Sequence, residues 1–124
     1  MSRCAWTIRP AAPPDAADIV AIVREAFPPE LLKLFIYGCS GMARFVAEQI
    51  AVQDQGGNAH YTVAMKNDKV VGCAEVRRLP RRRFLGYIAG RPEHRGQGVG
   101  GRLLRGALET CDADAAVELA LDVL

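Results

Sequence analysis

Glycines are concentrated in the stretch Arg95-Gly96-Gln97-Gly98-Val99-Gly100, which lies between a predicted strand and a predicted amphipathic helix. Glycine leaves room for a ligand against the backbone and allows neighbouring N–H groups to converge. The same N–H groups belong to the first turn of the helix, where the helix dipole is positive. The sequence therefore predicts an anion-binding turn that suits a diphosphate.

The spacing of apolar residues changes repeatedly along the chain and predicts an α/β domain. The predicted elements are a strand at 6–9, helices at 16–27, 31–37 and 42–50, a hairpin at 61–79 that turns at 66–69, a strand at 84–90, a helix at 98–112 and a strand at 117–123. Asp15 is the predicted cap of the first helix. The last strand–helix–strand unit should form a right-handed parallel crossover. The expected architecture is one mixed sheet with helices around it.

Length and composition restrict the class of protein. The 124 residues suit a single domain, 1–124. The longest apolar runs fall well short of the roughly 20 residues that span a bilayer, and the N-terminus lacks the pattern of a signal peptide. We therefore expect a cytoplasmic protein without a membrane partner.

The four cysteines, Cys4, Cys39, Cys73 and Cys111, lie 34 to 38 residues apart and form no close pair. Zinc sites and thioredoxin-like motifs need such pairs or nearby histidines. The spacing predicts reduced, partly buried thiols and no metal site. A catalytic thiol at Cys39, beside two glycines, is the alternative.

The net charge of +2 conceals a local concentration of arginine. Five of the sixteen basic residues are Arg77, Arg78, Arg81, Arg82 and Arg83, and the rest of the chain has 11 positive against 14 negative charges, a net of −3. This pattern argues against a nucleic-acid partner. At about 3.3 Å per residue, Arg81 to Arg83 should lie roughly 20 Å from the glycine turn. They are expected to be solvated or to contact an acidic partner.

Three known anion-binding motifs are alternative interpretations of the glycine turn. A Walker loop needs a lysine followed by a hydroxyl residue, and neither follows these glycines. The Rossmann fingerprint is formally matched by Gly96, Gly98 and Gly101, and Asp122 ends a later strand as a ribose-binding acid would. However, five residues separate the strand from the first glycine, and the preceding strands form hairpins. The Rossmann interpretation is therefore weak.

The third candidate rests on the block from Ile88 to Leu104. A strand ending near Pro92, the run Arg95-Gly96-Gln97-Gly98-Val99-Gly100 and a following amphipathic helix resemble the signature Arg/Gln-x-x-Gly-x-Gly/Ala of the GNAT superfamily of N-acetyltransferases. The order of elements is similar over essentially the whole chain. The resemblance implies a GNAT-like, mostly antiparallel sheet flanked by helices and acetyl-CoA as acyl donor. In that family a further helix and two strands follow, so it also implies a C-terminally truncated form.

The resemblance also implies which residues bind the cofactor. Pantetheine would lie along the signature strand and bond to its backbone, and the pyrophosphate would be held by N–H groups of the turn. By position the implied cofactor-binding residues are Ile88, Ala89, Gly90, Arg95, Gly96, Gln97, Gly98, Val99, Gly100 and Gly101.

The implied reaction is direct attack of a primary amine on the acetyl carbonyl. A lysine-like amine, with a pKa of about 10.4, needs a base to deprotonate it near neutral pH. The implied base is Asp122, which lies in the setting Leu119-Ala120-Leu121-Asp122-Val123, and Glu75 is the second candidate. Both residues also have a purely structural interpretation. The acceptor, a small molecule or a peptide, is left open.

A non-catalytic acyl-CoA-binding or dimerisation module is the alternative function. The apolar last strand, Val117 to Val123, would have one uncovered edge if the family's later strands are absent. Exposed edges of this kind tend to pair with another chain. We therefore expect a homodimer.

Overall fold

The computed structural model describes residues 6–28, 30, 41–79, 82–94, 96–110 and 120–121. Its helices and strands are β1 (Trp6–Pro10), α1 (Ala16–Ala26), α2 (Met42–Ala51), β2 (Ala59–Lys66), β3 (Lys69–Leu79), β4 (Arg82–Gly90), α3 (Val99–Thr110) and β5 (Ala120–Leu121). Among these residues, single 3₁₀ turns lie at Pro13–Asp15, Gln53–Gln55 and Pro92–His94. The helix predicted at 31–37 lies outside the described residues.

The five strands form one sheet in the order β1-β2-β3-β4-β5. Neighbouring strands from β1 to β4 are antiparallel, whereas β5 runs parallel to β4 and pairs Ala120 with Phe84 and Leu121 with Leu85. This arrangement confirms the predicted mixed α/β fold and the parallel pairing of its last two strands. The described part of β5 is shorter than the strand predicted at 117–123.

The turn between β2 and β3 is the tight hairpin that the sequence predicts. Lys66 pairs with Lys69, and the two residues between them, Asn67 and Asp68, have φ angles of 52° and 66°. A two-residue hairpin loop with positive φ at both positions matches the right-handed twist of its strands. Asn and Asp tolerate this left-handed conformation better than other side chains.

The helices cover both faces of the sheet. One core cluster joins α1 and α2 to residues of β2, β3 and β4, including the fully buried Ile19, Val46, Val63 and Cys73. A second cluster packs Val99 and Leu103 of α3 against Ala64 of β2 and Val71 and Ala74 of β3. Gly72 also lies under α3: a Cβ there would come within 2.7 Å of Val99 Cγ1 and 3.0 Å of Leu103 Cδ1. The start of α3 is therefore held close to β3.

Within the described ranges, no helix combines the length and the apolar character needed to cross a bilayer.

Asp15 occupies the N-cap position of α1, as the sequence predicts, but its side chain makes no capping hydrogen bond. Its backbone is already helical, at φ −75° and ψ −11°, whereas a capping residue is usually extended. The carboxylate instead turns back toward β1. It accepts hydrogen bonds from the Ala12 amide at 2.7 Å and from the Arg9 guanidinium at 2.8 and 3.1 Å. Asp15 therefore fixes the connection between β1 and α1.

Replacing Asp15 by asparagine is expected to lower the free energy of unfolding at pH 7 by about 1–2 kcal/mol. Burial tends to raise the pKa of Asp15, but the hydrogen bonds from Arg9 and the Ala12 amide outweigh it and the pKa is lowered. The stabilisation is therefore present above the unfolded-state pKa of about 3.9 and is lost as the pH falls through the folded-state pKa. Urea unfolding between pH 7 and pH 2.5 measures this loss.

The control is Asp68→Asn, which changes the same charge in an exposed turn that tolerates asparagine. A difference between Asp15→Asn and the wild type that stayed constant across the pH range would show that the ion pair does not contribute as described.

Candidate functional site

A cavity of about 460 Å³ opens where the end of β4 meets the start of α3. Its size lies within the usual range for small-molecule sites. Residues of four segments form its walls: the end of α1, the end of β4, the connection at 91–94 and the glycine turn. The lining residues are Ala26, Phe27, Ile88, Ala89, Gly90, Arg91, His94, Gly96, Gly98, Val99 and Gly100.

The glycine turn leaves open space beside its backbone. Gly96 and Gly98 have φ angles of 79° and 78°, a conformation that side chains rarely adopt. A Cβ built at Gly96, Gly98 or Gly100 would have no atom within 4 Å. The turn therefore presents bare backbone to the cavity.

Backbone donors are concentrated at the start of α3. The Arg102 amide donates to the Gly98 carbonyl at 3.1 Å. This is the first hydrogen bond of α3. The amides of Val99, Gly100 and Gly101 come before it in the sequence, and amides in the first turn of a helix have no partner within that helix. Together with the positive end of the helix dipole, they make this wall of the cavity suitable for a diphosphate.

The strand β4 supplies the second wall. Its pairing with β3 continues to Gly90, opposite Gly72. On its other side, the described residues of β5 pair only with Phe84 and Leu85. Past that point, Ile88, Ala89 and Gly90 line the cavity. An extended ligand can bond to a strand edge of this kind as an added strand does.

Most of the predicted cofactor-binding residues lie together at this cavity. Ile88, Ala89, Gly90, Gly96, Gly98, Val99 and Gly100 line it. Gln97 and Gly101 are not among the lining residues: the Gln97 side chain accepts a hydrogen bond from Lys66 Nζ at 2.8 Å, and Gly101 is exposed on the first turn of α3. Arg95 lies outside the described residues.

Four lining residues were not predicted from the sequence: Ala26, Phe27, Arg91 and His94. Arg91 links the end of β4 to β3 and α1. Its amide donates to the Val71 carbonyl at 2.9 Å and its Nε to the Val70 carbonyl at 3.1 Å. Its guanidinium lies 3.4 Å from Asp18 and 3.8 Å from Glu25 of α1. The position of Arg91, a charged residue directly after the strand, could have indicated a role at the cavity. Nothing in the sequence indicated its acidic partners, which lie more than 60 positions earlier.

Glu75 lies beside the cavity but does not line it. It is 3% exposed and sits in β3 opposite Tyr87 of β4, two residues before the lining residue Ala89. Its Oε1 accepts a hydrogen bond from Arg77 Nε at 2.9 Å. The carboxylate covers Gly86, where a Cβ would come within 2.5 Å of Oε1. The other predicted base, Asp122, lies outside the described residues.

The Cys73 thiol is fully buried, and burial raises its pKa. A thiol of this kind is inert. Cys4, Cys39 and Cys111 lie outside the described residues. Across the described part of the chain, no three side chains of His, Cys, Asp or Glu come together as metal ligands. The absence of a metal cofactor stays a prediction.

Comparison with known proteins identifies the family. Residues 19–124 match the family model of the acetyltransferase (GNAT) family. The chain belongs to this family. The cavity between β4 and α3 thus lies at the segment whose sequence resembles the GNAT signature. The comparison with curated proteins finds no significant match.

Solved structures of GNAT acetyltransferases share the fold. The PaiA N-acetyltransferase of Thermoplasma acidophilum in complex with coenzyme A matches with a TM-score of 0.71 and 16% identity over 85% of this chain and 70% of that one. The Escherichia coli ribosomal-protein-S18-alanine N-acetyltransferase matches with a TM-score of 0.61 and 21% identity, over 85% and 58%. This chain therefore spans little more than half the length of the latter.

A third match is an aminoglycoside acetyltransferase from an uncultured soil metagenomic sample, in complex with sisomicin. It has a TM-score of 0.66 and 15% identity, over 94% of this chain and 78% of that one. At these identities the matches show the fold.

Proposed function

We propose that this chain binds acetyl-CoA between β4 and α3 and transfers the acetyl group to a primary amine. The observation that carries the proposal is the continuous cavity from the edge of β4, at Ile88 to Gly90, to the bare glycine turn at Gly96 to Gly100. A pantetheine arm and a diphosphate need these two surfaces in this order. Membership of the GNAT family and a fold shared with a protein in complex with coenzyme A support the assignment.

In the proposed reaction the protein acts mainly by positioning. The amides at the start of α3 hold the diphosphate, and a backbone N–H of β4 donates to the thioester carbonyl, which stabilises the oxyanion that develops on that oxygen. The amine nitrogen forms a bond to the acetyl carbon as the C–S bond breaks. The nitrogen gives up a proton, and the coenzyme A thiolate leaves and is protonated.

The proposed base is Asp122 or Glu75. The ion pair between Glu75 and Arg77 favours a structural role for Glu75, because the Glu75 side chain is 4% exposed and its carboxylate is already paired. This observation also favours the second candidate function, an acyl-CoA-binding module without turnover.

Two measurements distinguish the candidates. Calorimetric titration with acetyl-CoA tests binding, and thiol release in the presence of a panel of amines tests turnover. Binding with thiol release that depends on the amine supports the transferase. Binding without thiol release for any amine supports the binding module, and no binding contradicts both.

The solved structures named above include a ribosomal-protein-S18-alanine N-acetyltransferase and an aminoglycoside acetyltransferase in complex with sisomicin. We therefore propose only an amine, on a peptide or a small molecule. The cytoplasmic location stays a prediction, as does the homodimer, which light scattering at micromolar concentration tests.

The arginines at the start of β4 are not expected to hold the cofactor's phosphates. β4 runs from Arg82 to Gly90, and at about 3.3 Å per residue its two ends are more than 20 Å apart. We expect Arg82→Ala/Arg83→Ala to change the Kd for coenzyme A by less than about twofold at 150 mM salt, because charges separated by more than about 8 Å in solvent are screened. A tenfold loss, measured by calorimetry, would contradict this placement.

A further inference from the structure

A cationic cluster surrounds Trp6 beside the glycine turn. Lys66 Nζ lies 5.2 Å and Arg102 Cζ 5.1 Å from the centre of the indole ring, distances at which a cation is attracted to the ring's π-system. The ring of His94 meets Trp6 edge-on, with the ring centres 6.3 Å apart. Lys66 also donates a hydrogen bond to Gln97 Oε1. Trp6 thus gathers two cations from distant parts of the chain.

Neither cation of this cluster takes part in an ion pair within the described residues. None of the ion pairs found among residues 6–28, 41–79, 82–94 and 96–110 involves Lys66 or Arg102. Two like charges beside one ring repel each other, and the attraction of each to the indole offsets only part of that cost. An anion bound between them would remove the repulsion.

The cluster continues the surface that the cofactor would follow. His94 both lines the cavity and contacts Trp6. Gln97 belongs to the glycine turn, and the Arg102 amide is bonded to Gly98 within it. A ligand whose diphosphate lies against the turn can therefore extend directly to Lys66 and Arg102.

We propose that Lys66 and Arg102 bind the 3′-phosphate at the nucleotide end of coenzyme A, with Trp6 as the residue that positions them. The proposal rests on the proposed binding of acetyl-CoA. A phosphate monoester carries about −1.5 to −2 charges near neutral pH, which matches two cations. Because Arg102 is exposed and Lys66 half-buried, salt should screen the interaction.

The test compares coenzyme A with dephospho-coenzyme A, which lacks only this phosphate. We expect the wild type to bind coenzyme A about tenfold more tightly at 50 mM salt, as measured by calorimetry, and the preference to shrink at 500 mM. In Lys66→Met/Arg102→Met the preference should fall to less than about twofold, while the affinity for dephospho-coenzyme A stays within about twofold of the wild type.

Two further variants complete the test. Arg105→Met removes the same charge from an exposed position one turn further along α3 and should keep the preference. Arg102→Met alone should keep the protein folded, because Arg102 is exposed. It should lose part of the preference for coenzyme A over dephospho-coenzyme A.

The outcomes separate this proposal from the one on which it rests. If the wild type binds both ligands equally, or if Arg105→Met loses as much preference as Arg102→Met, the phosphate site is wrong and acetyl-CoA binding stands. If the wild type binds neither ligand, acetyl-CoA binding itself is contradicted. Trp6 is the chain's single tryptophan, so its fluorescence provides an independent readout. It should change more with coenzyme A than with dephospho-coenzyme A, and equal changes would count against the site.

Discussion

Replacing Gly100 by glutamate is expected to weaken coenzyme A binding on the order of a hundredfold while leaving the folded protein as stable as the wild type. Gly100 lines the cavity on the first turn of α3, and a Cβ there meets no atom within 4 Å. Glutamate is a better helix former than glycine by roughly 0.5–1 kcal/mol, and a carboxylate is favourable at a helix N-terminus. The same carboxylate would occupy the diphosphate position and repel it.

The control is Ala51→Glu, which introduces the same carboxylate at an exposed helical position. Ala51 lies at the end of α2 and does not line the cavity. We expect this variant to keep most of the affinity, as measured by calorimetry and by the thermal shift on adding coenzyme A. Gly98 is a poorer choice because its φ of 78° would strain any side chain. Unchanged affinity in a folded Gly100→Glu variant would place the diphosphate elsewhere.

Shortening Leu103 to alanine is expected to cause the largest loss of stability among the changes considered, about 2–5 kcal/mol. Leu103 is fully buried between α3 and the sheet, in a cluster with Val71, Ala74 and Val99. The truncated side chain would leave a cavity that these neighbours fill only in part. A loss of this size corresponds to a fall in Tm of about 10 °C or more in a domain of this length. Urea and thermal unfolding measure it.

Leu104 provides the control, because it is the same residue type at the next position of α3 and is only partly buried. Leu104→Ala should cost less than half as much. Equal losses for the two variants would show that the packing of α3 on the sheet is not as described. Val99 shares the cluster with Leu103 and also lines the cavity, so Leu103→Ala should in addition weaken coenzyme A binding.

Features of the fold that depend on neighbouring residues could be predicted from the sequence. Asn67-Asp68 between two alternating apolar segments predicts the hairpin between β2 and β3, because few residue pairs tolerate positive φ at both positions. The period of 3.6 from Val99 onward predicts α3, which the structure places at Val99–Thr110. The glycines before α3 predict a turn of bare backbone, and Gly96 and Gly98 do adopt the conformation that favours glycine.

Contacts between distant residues could not be predicted in this way. Asp15 has the residue type and the position of a helix cap, yet its carboxylate bonds to Arg9. The reason is that the helical backbone at Asp15 turns the side chain away from the helix amides. The partners of Arg91 lie in α1, and those of Trp6 lie in β2 and α3. Periodicity along a chain indicates which face a residue occupies, but not which element packs against that face.

The proposed cofactor site shows the same division. The local sequence determined its backbone: the glycine turn, the helix that begins there and the strand that ends before it. Tertiary structure alone decided that Phe27 and Arg91 complete its walls and that Glu75 is ion-paired with Arg77 beside it. The physical reason is that turn and helix conformations follow from short-range sterics and hydrogen bonds. The walls of a cavity and the pairing of a buried carboxylate depend on elements brought together by packing across the sheet.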